Sequence, residues 1–104
     1  MSTVLKIAEA LHTHYPVSQE EAQLLYPQLE EAILNKSKII LSFKGIENCA
    51  SIFLNGLLGK LYNNYSTEVD NYIRITDVIA DENAINDRIE RTRRQALLHA
   101  EANH

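Results

Sequence analysis

Cysteine is nearly missing from this chain of 104 residues: Cys49 is its one thiol, so no internal disulfide can form. A fold without such staples rests on its core alone, which suits a reducing compartment. No apolar run approaches the roughly 18 residues that span a bilayer, and the start of the chain lacks a signal-peptide pattern. A cytoplasmic protein is expected. Nor is positive charge in excess, since 10 Lys and Arg against 14 Asp and Glu leave a net charge of -4. General affinity for nucleic acid or for an anionic membrane is therefore not expected, because basic patches drive both. The apolar share of 45% and charged share of 23% exclude a disordered tail. A chain of this length makes one domain, residues 1–104. There is no internal repeat and no low-complexity segment.

Catalytic and metal-binding groupings are equally sparse. His12 and His14 stand two apart, and Cys49, His99 and His104 have no recognised zinc spacing. Glu20, Glu21, Glu30 and Glu31 fall on the surface of a helix and read as a solvated face, with no acid/base pairing. No Gly-x-Ser-x-Gly motif surrounds Ser51, and no base or orienting acid stands beside it. Cys49, next to apolar segments, is expected to be buried. Neither an enzyme nor a cofactor is indicated.

What is present is an alternation of strand and helix patterns. Val4-Leu5-Lys6-Ile7 is a short strand candidate, and residues 8–11 either extend it or form a helical turn. Residues 12–16 are a loop, because Pro16 fixes its own φ and biases Tyr15 towards an extended shape. Ser18-Gln19-Glu20-Glu21 is a capping box, in which Ser18 and Glu21 satisfy each other's backbone amides. Ala22, Leu25, Leu29, Ala32 and Ile33 then recur at helical spacing as a buried stripe, which Pro27 should kink or divide.

The stretch 38–61, KIILSFKGIENCASIFLNGLLGKL, carries the most information. Residues 39–43 are a near-continuous apolar run, the pattern of a strand covered on both faces in a parallel sheet. Gly45 turns the chain out of it. Helical spacing follows from Ser51 to about Tyr65, with Phe53, Leu54, Leu57, Leu58 and Leu61 on a broad apolar face. Gly56 and Gly59 each cost about 1 kcal/mol inside a helix, which implies close packing of this backbone on the sheet. Residues 72–76 alternate as a strand should. Asp81-Glu82-Asn83 marks the start of a last helix, with Ile85, Ile89, Ala96, Leu97 and Ala100 as its core stripe. Arg88, Arg91, Arg93 and Arg94 are its basic cluster, read as surface pairing of Asp87 with Arg91 and Glu90 with Arg94.

Ser18-x-Glu20-Glu21, Tyr26-Pro27-Gln28-Leu29-Glu30-Glu31-Ala32, the apolar run 39–43 with Gly45-Ile46, Ser51-Ile52-Phe53-Leu54-Asn55 and Gly59-Lys60-Leu61 together resemble the bacterial STAS-like domain of unknown function. The similarity runs from about Ser18 to Leu97. That domain is related to the anti-sigma-factor antagonists. The resemblance implies a small STAS-like α/β sandwich, with a mostly parallel or mixed sheet of about four strands and about three main helices. It also implies a non-enzymatic regulatory module that works by partner switching, docking on a histidine-kinase-like ATPase or an anti-sigma factor. Asn48, Ser51, Ile52 and Asn55, with Ser18 and Glu20 at the start of the first long helix, are the expected contacts. Ser51 is read as an N-cap and contact first and as a phosphoacceptor second, since Cys49-Ala50 replaces the acidic residue that commonly precedes the modified hydroxyl. Three other readings remain: a small ligand-binding or enzymatic domain using the Ser51 elbow, a homodimer built from edge-strand surface, and a phage or mobile-element inhibitor that binds a host protein complex.

Overall fold

The computed structural model describes residues 3–78 and 85–102, and every count below refers to those residues. Three strands, β1 (Thr3–Lys6), β2 (Ile39–Ser42) and β3 (Ile73–Thr76), pair in the order β1-β2-β3 with both ladders parallel. The expected fourth strand is not among them. Just before β3 the chain forms a short helix, α5 (Glu68–Tyr72), in which only Val69 is buried. Glu68 and Asp70 sit in its first turn, where a helix N-terminus favours negative charge.

β1 passes directly into α1 (Ile7–Leu11), so residues 8–11 are a helical turn; His12 ends it in the left-handed region at φ 54°. Then comes α2 (Gln19–Leu34), started by the Ser18 capping box with both reciprocal bonds in place. Its stripe Ala22, Leu25, Leu29, Ala32 and Ile33 is buried, joined by Tyr26. Pro27 does not divide the helix, which runs unbroken for 16 residues. The ring lies on the exposed side, and burial of apolar residues before and after it outweighs the one hydrogen bond that proline removes.

β2 is central, and the register aligns Leu5, Leu41 and Ile75 on the face towards the helices. The opposite face carries Val4, Ile40 and Arg74 in one row. Val4 and Arg74 are exposed and Ile40 is half-buried, so the apolar run marks a central strand without full cover on both faces.

The second long run is α3 (Ser51–Leu54), a π-helical segment (Asn55–Gly59) and α4 (Lys60–Tyr65). Phe53, Leu54, Leu57, Leu58 and Leu61 are fully buried. Its glycines approach helices and not the sheet: a Cβ on Gly56 would meet the Ala22 Cβ at 3.2 Å, and one on Gly59 the Thr92 Cγ2 at 3.4 Å. Thr92 belongs to α6 (Ile85–Ala102), whose Ile85, Ile89 and Ala100 are buried and whose Ala96 and Leu97 are partly so. Asp81-Glu82-Asn83 and His104 lie outside the described residues. No described helix is long and apolar enough to cross a membrane.

Candidate functional site

The elbow between β2 and α3 is held on three sides. Phe43 N–H continues the ladder to the Thr76 carbonyl (2.9 Å), and Ile46 N–H closes the turn onto the Phe43 carbonyl (2.9 Å). Gly45 sits at φ +86°, a conformation that suits glycine, and its carbonyl accepts from His14 Nδ1 at 2.7 Å. The loop before α2 supplies the second side: Glu47 N–H donates to the His14 carbonyl (2.9 Å) and Ala50 N–H to the Pro16 carbonyl (3.0 Å). From α6, Arg88 Nη1 supplies the third, donating to Asn48 Oδ1 (2.7 Å) and to the Cys49 carbonyl (2.8 Å). Asn48 Oδ1 also accepts from Cys49 N–H (2.9 Å). Such charge-assisted bonds to a loop backbone fix its path.

Beneath the elbow, the carboxyl ends of β2 and β3 are tied through Asp77. Ser42 Oγ donates to its Oδ2 at 2.7 Å and Thr76 Oγ1 at 3.1 Å, and Ser42 Oγ in turn accepts from Lys44 N–H (3.2 Å). Those two hydroxyls, with the charges of Lys44 and Lys6, hold the Asp77 carboxyl below the usual range. Nothing in the sequence pattern singles out Asp77, because its role depends on which strands become neighbours.

The expected contact residues separate into two groups. Ser51, Ile52 and Asn55 are exposed on the first turns of the helix, and Glu20 is exposed at the start of α2 beside it. Ser18 and Asn48 are different: Ser18 is engaged with Glu21 on both its hydroxyl and its amide, and Asn48 Oδ1 takes two bonds inside the elbow. They shape the corner more than they face outward. Ser51 is not the N-cap. Ala50 holds that position, with extended backbone and no side-chain bond, and its carbonyl accepts from Phe53 N–H (3.1 Å) and Leu54 N–H (3.2 Å). With the Ala50 amide anchored on the Pro16 carbonyl, the helix begins one residue earlier than a Ser51 N-cap would place it. Ser51 is its first helical residue.

Two residues went unnoticed in the sequence. Tyr15 and Val17 flank buried Pro16 and are 50% and 51% exposed, close to Ile52 at 54%. The Pro16–Ala50 bond brings this loop to the helix start, so these three exposed apolar residues all lie within two positions of one backbone bond. A shallow depression of about 410 Å³ starts at Asn55 and runs past Gly56 and Gly59 to Thr92 and His99. Ser51 is not in its wall.

Cys49 is fully buried, and burial pushes its thiol up to about 11 against the opposing charge of Arg88. His14 is engaged by Gly45, and no three His, Cys, Asp or Glu side chains among the described residues are placed to hold a metal. The arginines depart from the expected surface pairing. Arg88 reaches the elbow, and Arg93 reaches Asp70 through Nη2 at 2.6 Å, while among the described residues neither Asp87 with Arg91 nor Glu90 with Arg94 forms an ion pair. Partners on other elements offer these guanidinium groups two bonds each, which an exposed neighbour on the same helix does not.

The family model of the STAS-like domain of unknown function (DUF4325) matches residues 21–84. The match spans most of α2, β2, the elbow, the second helical run and β3. β1, the loop that backs the elbow and Arg88 lie outside it. No curated protein and no solved structure matches the chain significantly.

Proposed function

We propose, from the premise that this chain belongs to the STAS-like domain family of unknown function, that it is a non-enzymatic regulatory module that docks a protein partner with the corner at the start of α3. A cytoplasmic setting goes with that reading. The observation that carries it is the exposure of Ile52, Val17 and Tyr15 on a backbone held rigid by Arg88 and by the loop before α2. Apolar side chains on a pre-set backbone suit docking, because little freedom is lost on binding. Exposed polar neighbours Ser51, Asn55 and Glu20 complete a mixed rim.

The buried, raised thiol of Cys49 is a poor nucleophile, and this favours interaction over covalent chemistry at the elbow. The partner class, a histidine-kinase-like ATPase or an anti-sigma factor, follows from kinship with the anti-sigma-factor antagonists alone. Ser51 is the candidate switch within this reading. Its hydroxyl is exposed and has no capping duty, and a phosphate there would add about -1.5 to -2 charge at a helix start, within the docking corner.

Affinity purification of the tagged protein from its own cells tests the proposal. Wild type is compared by quantitative mass spectrometry with Ile52→Arg, Asn55→Arg and, as a distant exposed control, Leu98→Arg. Loss of the same partner from the first two alone is the expected result. Retention of every wild-type partner by both corner variants overturns the assignment of this surface.

A further inference from the structure

A second surface lies along β3. Thr76 accepts from Phe43 N–H through its carbonyl, so Thr76 and, two residues earlier, Arg74 turn their backbone groups towards β2. Ile73 and Ile75 then turn theirs away, and Ile73 N–H accordingly bonds to the Val69 carbonyl of α5. Among the described residues this leaves the Ile73 carbonyl and both backbone groups of Ile75 without a strand partner, aimed away from β2 at the edge of the sheet. A groove of about 600 Å³ follows this edge, with Ile40, Ile75 and Ile89 among its apolar walls.

We propose that this edge takes an extended acidic segment of a protein partner as a fourth strand. The backbone pattern selects an extended chain, because no other occupant can pair with the Ile75 amide and carbonyl at strand spacing. Charge selects an acidic one. Lys38, Arg74 and Arg93 line the groove against Asp70 and Glu90; Arg93 and Asp70 cancel as a pair, which leaves Lys38 and Arg74 against Glu90, an excess of one positive charge in a chain of net charge -4. A second copy fits less well. Two-fold pairing of β3 with itself would bring both Arg74 side chains to one face of the ribbon as near neighbours, and like charges so placed destabilise it. This surface shares no residue with the corner at Ser51, so the two fail or stand separately.

The test uses two capped octapeptides as probes, one alternating glutamate and valine, the other lysine and valine, added to the full chain and followed by backbone NMR and amide exchange. The glutamate peptide is expected to slow exchange of the Ile75 amide by about tenfold or more, with the lysine peptide at least about tenfold weaker. Ile75→Pro removes the outward N–H without touching the β2 ladder and is expected to abolish the peptide-induced shifts of the neighbouring Ile73 and Arg74 amides, while Arg74→Glu reverses the nearest charge and is expected to abolish protection of the Ile75 amide. If Ile75→Pro does not fold, Arg74→Glu decides alone. Equal binding of both peptides, shifts confined to Ser51 and Ile52, no protection at saturating peptide, or protection of Ile75 that appears with protein concentration in the absence of peptide each overturns the proposal.

Discussion

Arg88 and Asn48 are forty positions apart in sequence, yet Arg88 Nη1 lies 2.7 Å from Asn48 Oδ1 and 2.8 Å from the neighbouring Cys49 carbonyl. One guanidinium thereby joins the last helix to the turn that presents Ser51 and Ile52. The elbow is thus held by a residue outside the part of the chain that the family model matches.

Arg88→Ala should lower the unfolding free energy by about 1.5–3 kcal/mol, the range for hydrogen bonds to a charged group, and should leave the Cys49 carbonyl without its donor. Arg88→Lys recovers part of this at most, since a single ammonium lacks the fixed planar geometry. Urea unfolding of Arg88→Ala, Asn48→Ala and the double variant measures the coupling. A sum that is strictly additive would show that the two side chains do not act together.

Gly56 and Gly59 should respond differently to alanine. At Gly56 the new methyl would stand 3.2 Å from the Ala22 Cβ and 3.3 Å from Gln19 Cγ, a contact that α2 must yield to accommodate. At Gly59 the nearest neighbour, Thr92 Cγ2 at 3.4 Å, permits ordinary contact. Gly59→Ala is expected to be neutral or to stabilise by up to about 1 kcal/mol through helix propensity, while Gly56→Ala loses that gain and destabilises. Thermal melts of the two variants check the order.

Acid should weaken the fold through Asp70. Partial burial pushes its carboxyl up, but the bonds from Arg93 Nη2 (2.6 Å) and the Tyr62 hydroxyl (2.6 Å) outweigh it, and the net shift is downward. A folded value below the unfolded one, about 3.9, means that this stabilisation is complete above the unfolded value and is lost as pH falls through the folded one. Stability should therefore hold between neutral pH and about 5 and decline below about 4. Asp70→Asn should flatten part of that decline; Asp77 and Glu21, also shifted down, account for the remainder. Denaturant unfolding at a series of pH values gives the curve.

Cys49 should resist thiol reagents in the folded protein. With its thiol pushed up to about 11 by burial, it carries at pH 8 about two orders of magnitude less thiolate than an ordinary cysteine, and its side chain is out of reach of reagent. Stopped-flow reaction with an aromatic disulfide should be slow in buffer and fast in urea. Equal rates would place the elbow open in solution.

Much of the fold could be read from residues close together in sequence. The Ser18–Glu21 capping box, the stripe from Ala22 to Ile33 and the run 39–43 are local patterns, and each produces the element it implies. Three features were not legible for a common reason, that their partners are distant in sequence. Ser51 looks like a cap until the Pro16 carbonyl captures the Ala50 amide and moves the helix start. The glycines signal close packing, but only the tertiary arrangement shows that α2 and α6 are what approach. Arg88 and Arg93 have acids four residues away or nearer, yet they cross to Asn48 and Asp70.

The account's central claim is that the corner around Ile52 meets a protein partner. Incorporation of a photoreactive phenylalanine analogue at position 52 in living cells, with position 98 as an equally exposed apolar control on α6, tests it most directly. The predicted result is a discrete crosslinked protein adduct at position 52 that is absent at position 98 and lost when Arg88 is replaced by alanine. Equal labelling at the two positions, or no adduct at 52, would contradict it.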